Sequence, residues 1–115
     1  MLKVLMLKPG QLPESAEIGE ELADLQAAVG GCIEIARSYP DGAVMLCNEE
    51  GKNDDLPPNR CLLGTDGHTV VDYIAGPALI CGVKGEAFTS LARWQLEKYA
   101  AAYRDWIPED AYAAQ

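Results

Sequence analysis

Apolar residues fall along this chain in short blocks cut by glycine and proline. Leu2–Leu7 is an apolar run between Lys3 and Lys8, stopped by Pro9-Gly10, and its length and stop signal predict a buried strand. After Pro13, the residues Ile18, Leu22, Leu25 and Val29 recur at helical spacing, and Gly30-Gly31 ends the pattern with a glycine suited to a left-handed cap. Residues 32–37 and 43–47 read as two strands joined by the turn Tyr39-Pro40-Asp41-Gly42. Weaker strand signals follow at 61–63 and 69–74, and a longer one at 77–83, with Gly76-Pro77 as a break between the last two. A second helix is expected over 90–105, with a stripe of Ala92, Leu96, Tyr99, Tyr103 and Trp106 and a cap at Thr89 or Ser90.

This order predicts an α+β fold. The expected form is a single two-layer domain with a mostly antiparallel four- to five-stranded sheet and two helices on one face. The domain should span 1–108, with 109–115 as a fraying tail. The strands are almost continuously apolar, which implies burial on both faces. If the helices cover one face, a symmetric second copy can cover the other, anchored by Tyr73, Trp94 and Tyr112. A homodimer is therefore among the expected partnerships.

Charge and cysteine usage narrow the chemistry. A net charge of −9 repels phosphate backbones, so direct nucleic-acid binding is not expected. The 4 cysteines lie far apart inside apolar runs, without a close ligand pair, and a single histidine, His68, stands in a turn. Neither a metal nor another cofactor is expected. The chain shows no export signal and no apolar run long enough to span a membrane, so the expected location is the cytoplasm, with no membrane partner.

The polar connection over 48–60 stands out. It holds 4 carboxylates, 2 prolines, 3 asparagines, Lys52 and Arg60 between two apolar blocks. Long ordered loops are often functional. Gly30 and Gly31 allow close backbone approach at the helix end, with Glu34 just beyond. Asn48, Glu49, Asn59 and Arg60 emerge near the hairpin exit. The Arg60 fork suits phosphate or carboxylate, and the Asn59 amide suits a base edge or a peptide group. These seven residues form the candidate binding site, with the guanidinium aimed outward. Arg60 paired to Glu34 or Glu49, with Asn59 closing a turn, is the structural alternative.

The chain resembles a family of small uncharacterised proteins encoded by bacteriophages and mobile elements. The residues that carry the resemblance are Val29-Gly30-Gly31-Cys32-Ile33-Glu34, Asn48-Glu49-Glu50-Gly51-Lys52, Leu56-Pro57-Pro58-Asn59-Arg60 and Ile74-Ala75-Gly76-Pro77. It implies mobile-element origin and no particular activity, and many such short genes act against host defence. No nucleophile-and-base pair, Walker loop or metalloprotease motif is present, so no catalytic residue is assigned and the expected role is not enzymatic. The functional expectation is engagement of an anionic small ligand, such as a nucleotide, or of a host protein through the 48–60 loop. The alternative is a polyanion mimic that inhibits a host nucleic-acid-binding protein, with Glu17, Glu20, Glu21 and Asp24 spaced along the first helix.

Overall fold

A computed structural model describes residues 1–108. The expected tail and Tyr112 lie outside the described residues. The chain runs β1 (Leu2–Leu7), β2 (Glu14–Ile18), α1 (Leu22–Val29), β3 (Ile33–Ser38), β4 (Ala43–Asn48), β5 (Pro58–Leu63), β6 (Val70–Ala75), β7 (Ala78–Lys84), β8 (Ala87–Thr89) and α2 (Arg93–Ala102). The main sheet has 6 strands in the order β2-β1-β7-β4-β3, and β8 pairs β7 beyond Ile80, where β1 no longer does. β5 and β6 form a separate two-stranded hairpin. Every pairing is antiparallel.

The three central strands carry apolar side chains on both faces, which is why they read as unbroken runs. On one face Leu2, Val4, Met6, Val44, Leu46, Leu79 and Cys81 pack with Leu25 and Val29 of α1. On the other, Leu5, Leu7, Met45, Cys47, Ala78 and Ile80 pack with Leu91, with Tyr99 of α2 and with Leu62 and Ile74 of the hairpin. The helices thus lie on opposite faces, which corrects the expected single helical layer. The second face of the central strands is covered by the chain's own hairpin and α2.

The first helix is shorter than its spacing suggested. Glu14–Ile18 is a strand antiparallel to β1, with Ala16 and Ile18 on the α1 side. Ile18 and Leu22 match a helical interval by coincidence, and Leu22 is 58% exposed. Gly19 divides the two elements, since a Cβ there would lie 2.1 Å from the Asp24 carboxylate. That carboxylate accepts the Glu21 backbone N–H at 3.1 Å and so fixes the helix start. The helix ends where expected. Gly30 has φ 80°, and the N–H groups of Gly30 and Gly31 both reach the Gln26 carbonyl.

The second helix starts at Arg93 because the Gln95 side chain accepts the Ala92 N–H at 2.9 Å. Ser90 is not a cap. Its hydroxyl accepts the Lys3 N–H, and the Leu91 N–H reaches the Lys3 carbonyl, so this segment is tied to β1.

α2 is docked onto the β3–β4 turn through Asp41. The Tyr99 hydroxyl lies 2.8 Å from both carboxylate oxygens, Lys98 Nζ lies 3.3 Å from one, and the Ala43 N–H donates to the other. Burial opposes ionisation of Asp41, but these donors outweigh it and hold the group below its ordinary value of 3.8. A carboxylate shifted downward stabilises the fold above its unfolded value, and that contribution is lost as pH falls through the folded one. Asp41→Asn should therefore lower stability at neutral pH, and its gap to the wild type should narrow below pH 3.8 in denaturation curves taken across the acid range.

Candidate functional site

The 48–60 segment divides into two parts with opposite orientations. Residues 49–55 form a run of turns on the surface, and from Pro58 the chain enters β5. The turns are closed by the Asp54 N–H to the Glu50 carbonyl at 2.8 Å and the Leu56 N–H to the Gly51 carbonyl at 2.9 Å. Gly51 is required by proximity, because a Cβ would stand 2.2 Å from the Ala75 carbonyl oxygen. The turns are anchored to the end of α1 by Asn48. Its amide nitrogen faces the Val29 carbonyl at 3.4 Å, and its amide oxygen accepts the Glu50 N–H at 2.8 Å. Gly31 lets this amide pass, since a Cβ there would come within 2.8 Å of Asn48 Nδ2.

Asn59 and Arg60 turn inward. Asn59 is fully buried and Arg60 is 1% exposed. The Asn59 amide donates to the Leu7 and Gly76 carbonyls at 2.8 and 2.9 Å, and its oxygen accepts Arg60 Nη1 at 2.7 Å. The guanidinium directs three further N–H groups to backbone carbonyls: Nε to Tyr103 at 2.7 Å, Nη1 to Lys8 at 3.2 Å and Nη2 to Gln11 at 2.6 Å. Trp106 packs over it, with the ring centroid 5.9 Å from Cζ. Burial lowers the pKa of Arg60. The expectation of an outward-aimed guanidinium and amide is thus corrected. Backbone carbonyls from β1, the β1–β2 loop, the β6–β7 turn and the end of α2 need donors in the interior, and these two side chains supply them.

A cleft of about 210 Å³ opens between β3, β4 and β6, capped by the 49–55 turns. Glu34, Asn48 and Glu49 line it together with Lys52, Asn53, Asp72 and Tyr73. Gly31 borders the site beside Asn48, and a Cβ at Gly30, one residue further back, would stand 4.0 Å from the same amide. Three of the expected residues therefore converge, two support them from behind, and Asn59 and Arg60 line no part of the cleft. Lys52 was within the motif Asn48-Glu49-Glu50-Gly51-Lys52, but Asp72 and Tyr73 come from β6, which no local signal connects to this loop.

Electrostatics give the cleft a definite character. Lys52 is paired with Asp72 and rests 4.5 Å from the centroid of the Tyr73 ring. That pairing and the Tyr73 N–H lower the pKa of Asp72. Glu34 and Glu49 are exposed carboxylates at the rim. Among the described residues that line this cleft the one cation, Lys52, is already paired, so the balance of the lining is negative. Cys47 at the floor is a poor nucleophile, since burial, and then the Glu34 charge, push its thiol up to about 11. His68 is exposed in the β5–β6 turn, where Asp66 accepts its backbone N–H, and it does not line the cleft.

A family model describing a domain of unknown function, DUF3846, matches residues 2–104. The chain belongs to the DUF3846 family. Neither the curated proteins nor the solved structures contain a match to it. The matched span takes in every strand, both helices and the cleft, so the buried Asn59-Arg60 pair and the 49–55 turns both lie within the DUF3846 domain. No helix among the described residues is long and apolar enough to cross a membrane.

The thiol environments give a direct check on the cleft floor. Iodoacetamide at pH 8 should label exposed Cys32 and Cys61 first and leave Cys47 and Cys81, held protonated with values of about 11 and about 12, largely unmodified in peptide mass maps. Rapid labelling of Cys47 would show that the cleft is not built this way.

Proposed function

We propose that this chain acts by binding rather than turnover, and that the cleft takes a basic side chain of a host protein. The observation that carries this reading is the set of carboxylates at Glu34, Glu49 and Asp72 around a single cation that is already paired. An anionic small ligand such as a nucleotide would meet a lining whose one cation, Lys52, is already paired, and Arg60 bonds carbonyls inside the molecule. The volume agrees: about 210 Å³ is below the roughly 300–1,000 Å³ typical of small-molecule pockets and suits one side-chain head group. The Lys52 ammonium, lying against Asp72 and the Tyr73 ring, is an internal example of the chemistry such a guest would use.

The wider setting belongs to the same proposal. The resemblance to bacteriophage and mobile-element proteins supports a role in the bacterial cytoplasm against a host factor, with counter-defence as the context. Polyanion mimicry has less support. Glu17 lies on β2 and Asp24 caps its own helix, so the acidic residues do not form one helical row.

The test uses defined probes. In two-dimensional NMR, N-acetyl-arginine amide should shift the amides of residues 34, 48–53 and 72–75, and Glu49→Gln should weaken that response by about tenfold. Adenosine monophosphate should leave those amides unmoved. Shifts produced by the nucleotide alone would overturn the reading, as would arginine responses confined to other surfaces.

A further inference from the structure

The outer edge of the main sheet supports a second kind of contact. Among the described residues β3 is a terminal strand that pairs with β4 and no other strand. Its register with β4 shifts between Ile35 and Arg37, leaving Ala36 as a bulged residue. The bulge has a consequence for the side chains. Glu34 stands opposite Cys47 and Arg37 opposite Met45, and Cys47 and Met45 belong to the same core layer. Glu34 and Arg37 therefore project from one face, although residues three apart on a regular strand would point to opposite faces.

The backbone of this edge is available for pairing. The Glu49 N–H bonds to the Cys32 carbonyl and the Tyr39 N–H to the Ala43 carbonyl, so Cys32 and Tyr39 direct their polar groups toward the β4 side. Alternation from each end makes Ile33, Ile35 and Ser38 the positions whose N–H and C=O groups face outward. Ile35 is 52% exposed on this strand. Among the described residues, neither Glu34 nor Arg37 has an oppositely charged side chain within ion-pair distance.

We infer that β3 pairs antiparallel with β3 of a second copy of this chain, in the register that sets Ile33 opposite Ser38 of the second copy. In that register both outward-facing positions at the strand ends meet in hydrogen-bonded pairs. Glu34 then faces Arg37 of the second copy, and Arg37 faces Glu34 of the second copy, on the same side of the joined sheet. Both are non-hydrogen-bonded pairs, whose side chains approach most closely. The two-fold axis thus produces two opposite-charge pairs from one strand sequence. The other terminal strand lacks this property: β2 is Glu-Ser-Ala-Glu-Ile, with two carboxylates and no cation, so pairing it with itself yields no opposite-charge pair. In a chain of net charge −9, long-range repulsion between copies makes a local cation at the contact edge decisive. A contact of one short strand is small compared with permanent interfaces, so the dimer should be reversible.

Sedimentation velocity from about 1 to about 100 µM tests this. The wild type should shift toward dimer over that range. Glu34→Arg and Arg37→Glu should each weaken self-association at least tenfold, because each replaces both attractive pairs with repulsive ones. The double variant carrying both changes should dimerise like the wild type. An equimolar mixture of the two single variants should do so as well, since all its cross-pairs are complementary. Circular dichroism on each variant separates loss of pairing from loss of fold. A wild type that stays monomeric at the highest concentration overturns the inference. So does a dimer indifferent to both single changes, or single variants that fold but do not recover association when mixed.

Discussion

A buried guanidinium held mainly by uncharged acceptors governs this molecule. Arg60 is held by the Asn59 amide and three backbone carbonyls, and those carbonyls come from segments far apart in sequence. Desolvating a cation is costly, and charge-assisted bonds to several acceptors are what make it tolerable. The same donors bond carbonyls just after β1 and at the end of α2. Asn59 extends the arrangement to Leu7 and Gly76, and its own carbonyl accepts the Ile107 N–H. Together the two residues tie the β5–β6 hairpin to the main sheet and to the segment after α2.

The cleft depends on that tie. One of its walls is β6, and the hairpin reaches the sheet through β5, the strand that carries Asn59 and Arg60. Between Asn48 and Pro58 the chain is free to form surface turns because both of its ends are fixed, Asn48 to the end of α1 and Asn59 to β1. The segment that looked like one recognition loop is therefore a recognition surface followed by a structural clamp. Lys52, Glu49 and Asn53 face outward because Asn59 and Arg60 meet the interior demand.

Those parts of the fold that depend on local physics were legible in the chain. β1, β4 and β7 announced themselves because burial on both faces leaves no polar alternation, and Gly30 marked the end of α1 because a left-handed cap needs it. The Tyr39-Pro40-Asp41-Gly42 turn was equally readable. Glu14–Ile18 was not, because one helical interval between Ile18 and Leu22 imitated a longer pattern. β5 was hidden by its own composition: a proline, an asparagine and an arginine are poor strand formers, and they are buried only because distant carbonyls require them. Of the candidate site, Glu34, Asn48 and Glu49 were within reach of local reasoning, whereas Asp72 and Tyr73 arrive through tertiary pairing. The direction of Arg60 could not be read locally at all, since its partners lie 43 to 52 residues away apart from Asn59.

Equilibrium urea unfolding of Arg60→Met tests this account most directly. The substitution keeps an apolar stem of similar length and removes every donor, so the carbonyls of Tyr103 and Gln11 lose the Arg60 bonds and that of Lys8 keeps only the Gln11 N–H. The account predicts a loss of about 3 kcal/mol or more, or no cooperative transition at all, with Arg60→Lys failing to restore stability because an ammonium cannot span the same acceptors. An Arg60→Met protein within about 0.5 kcal/mol of the wild type would contradict it.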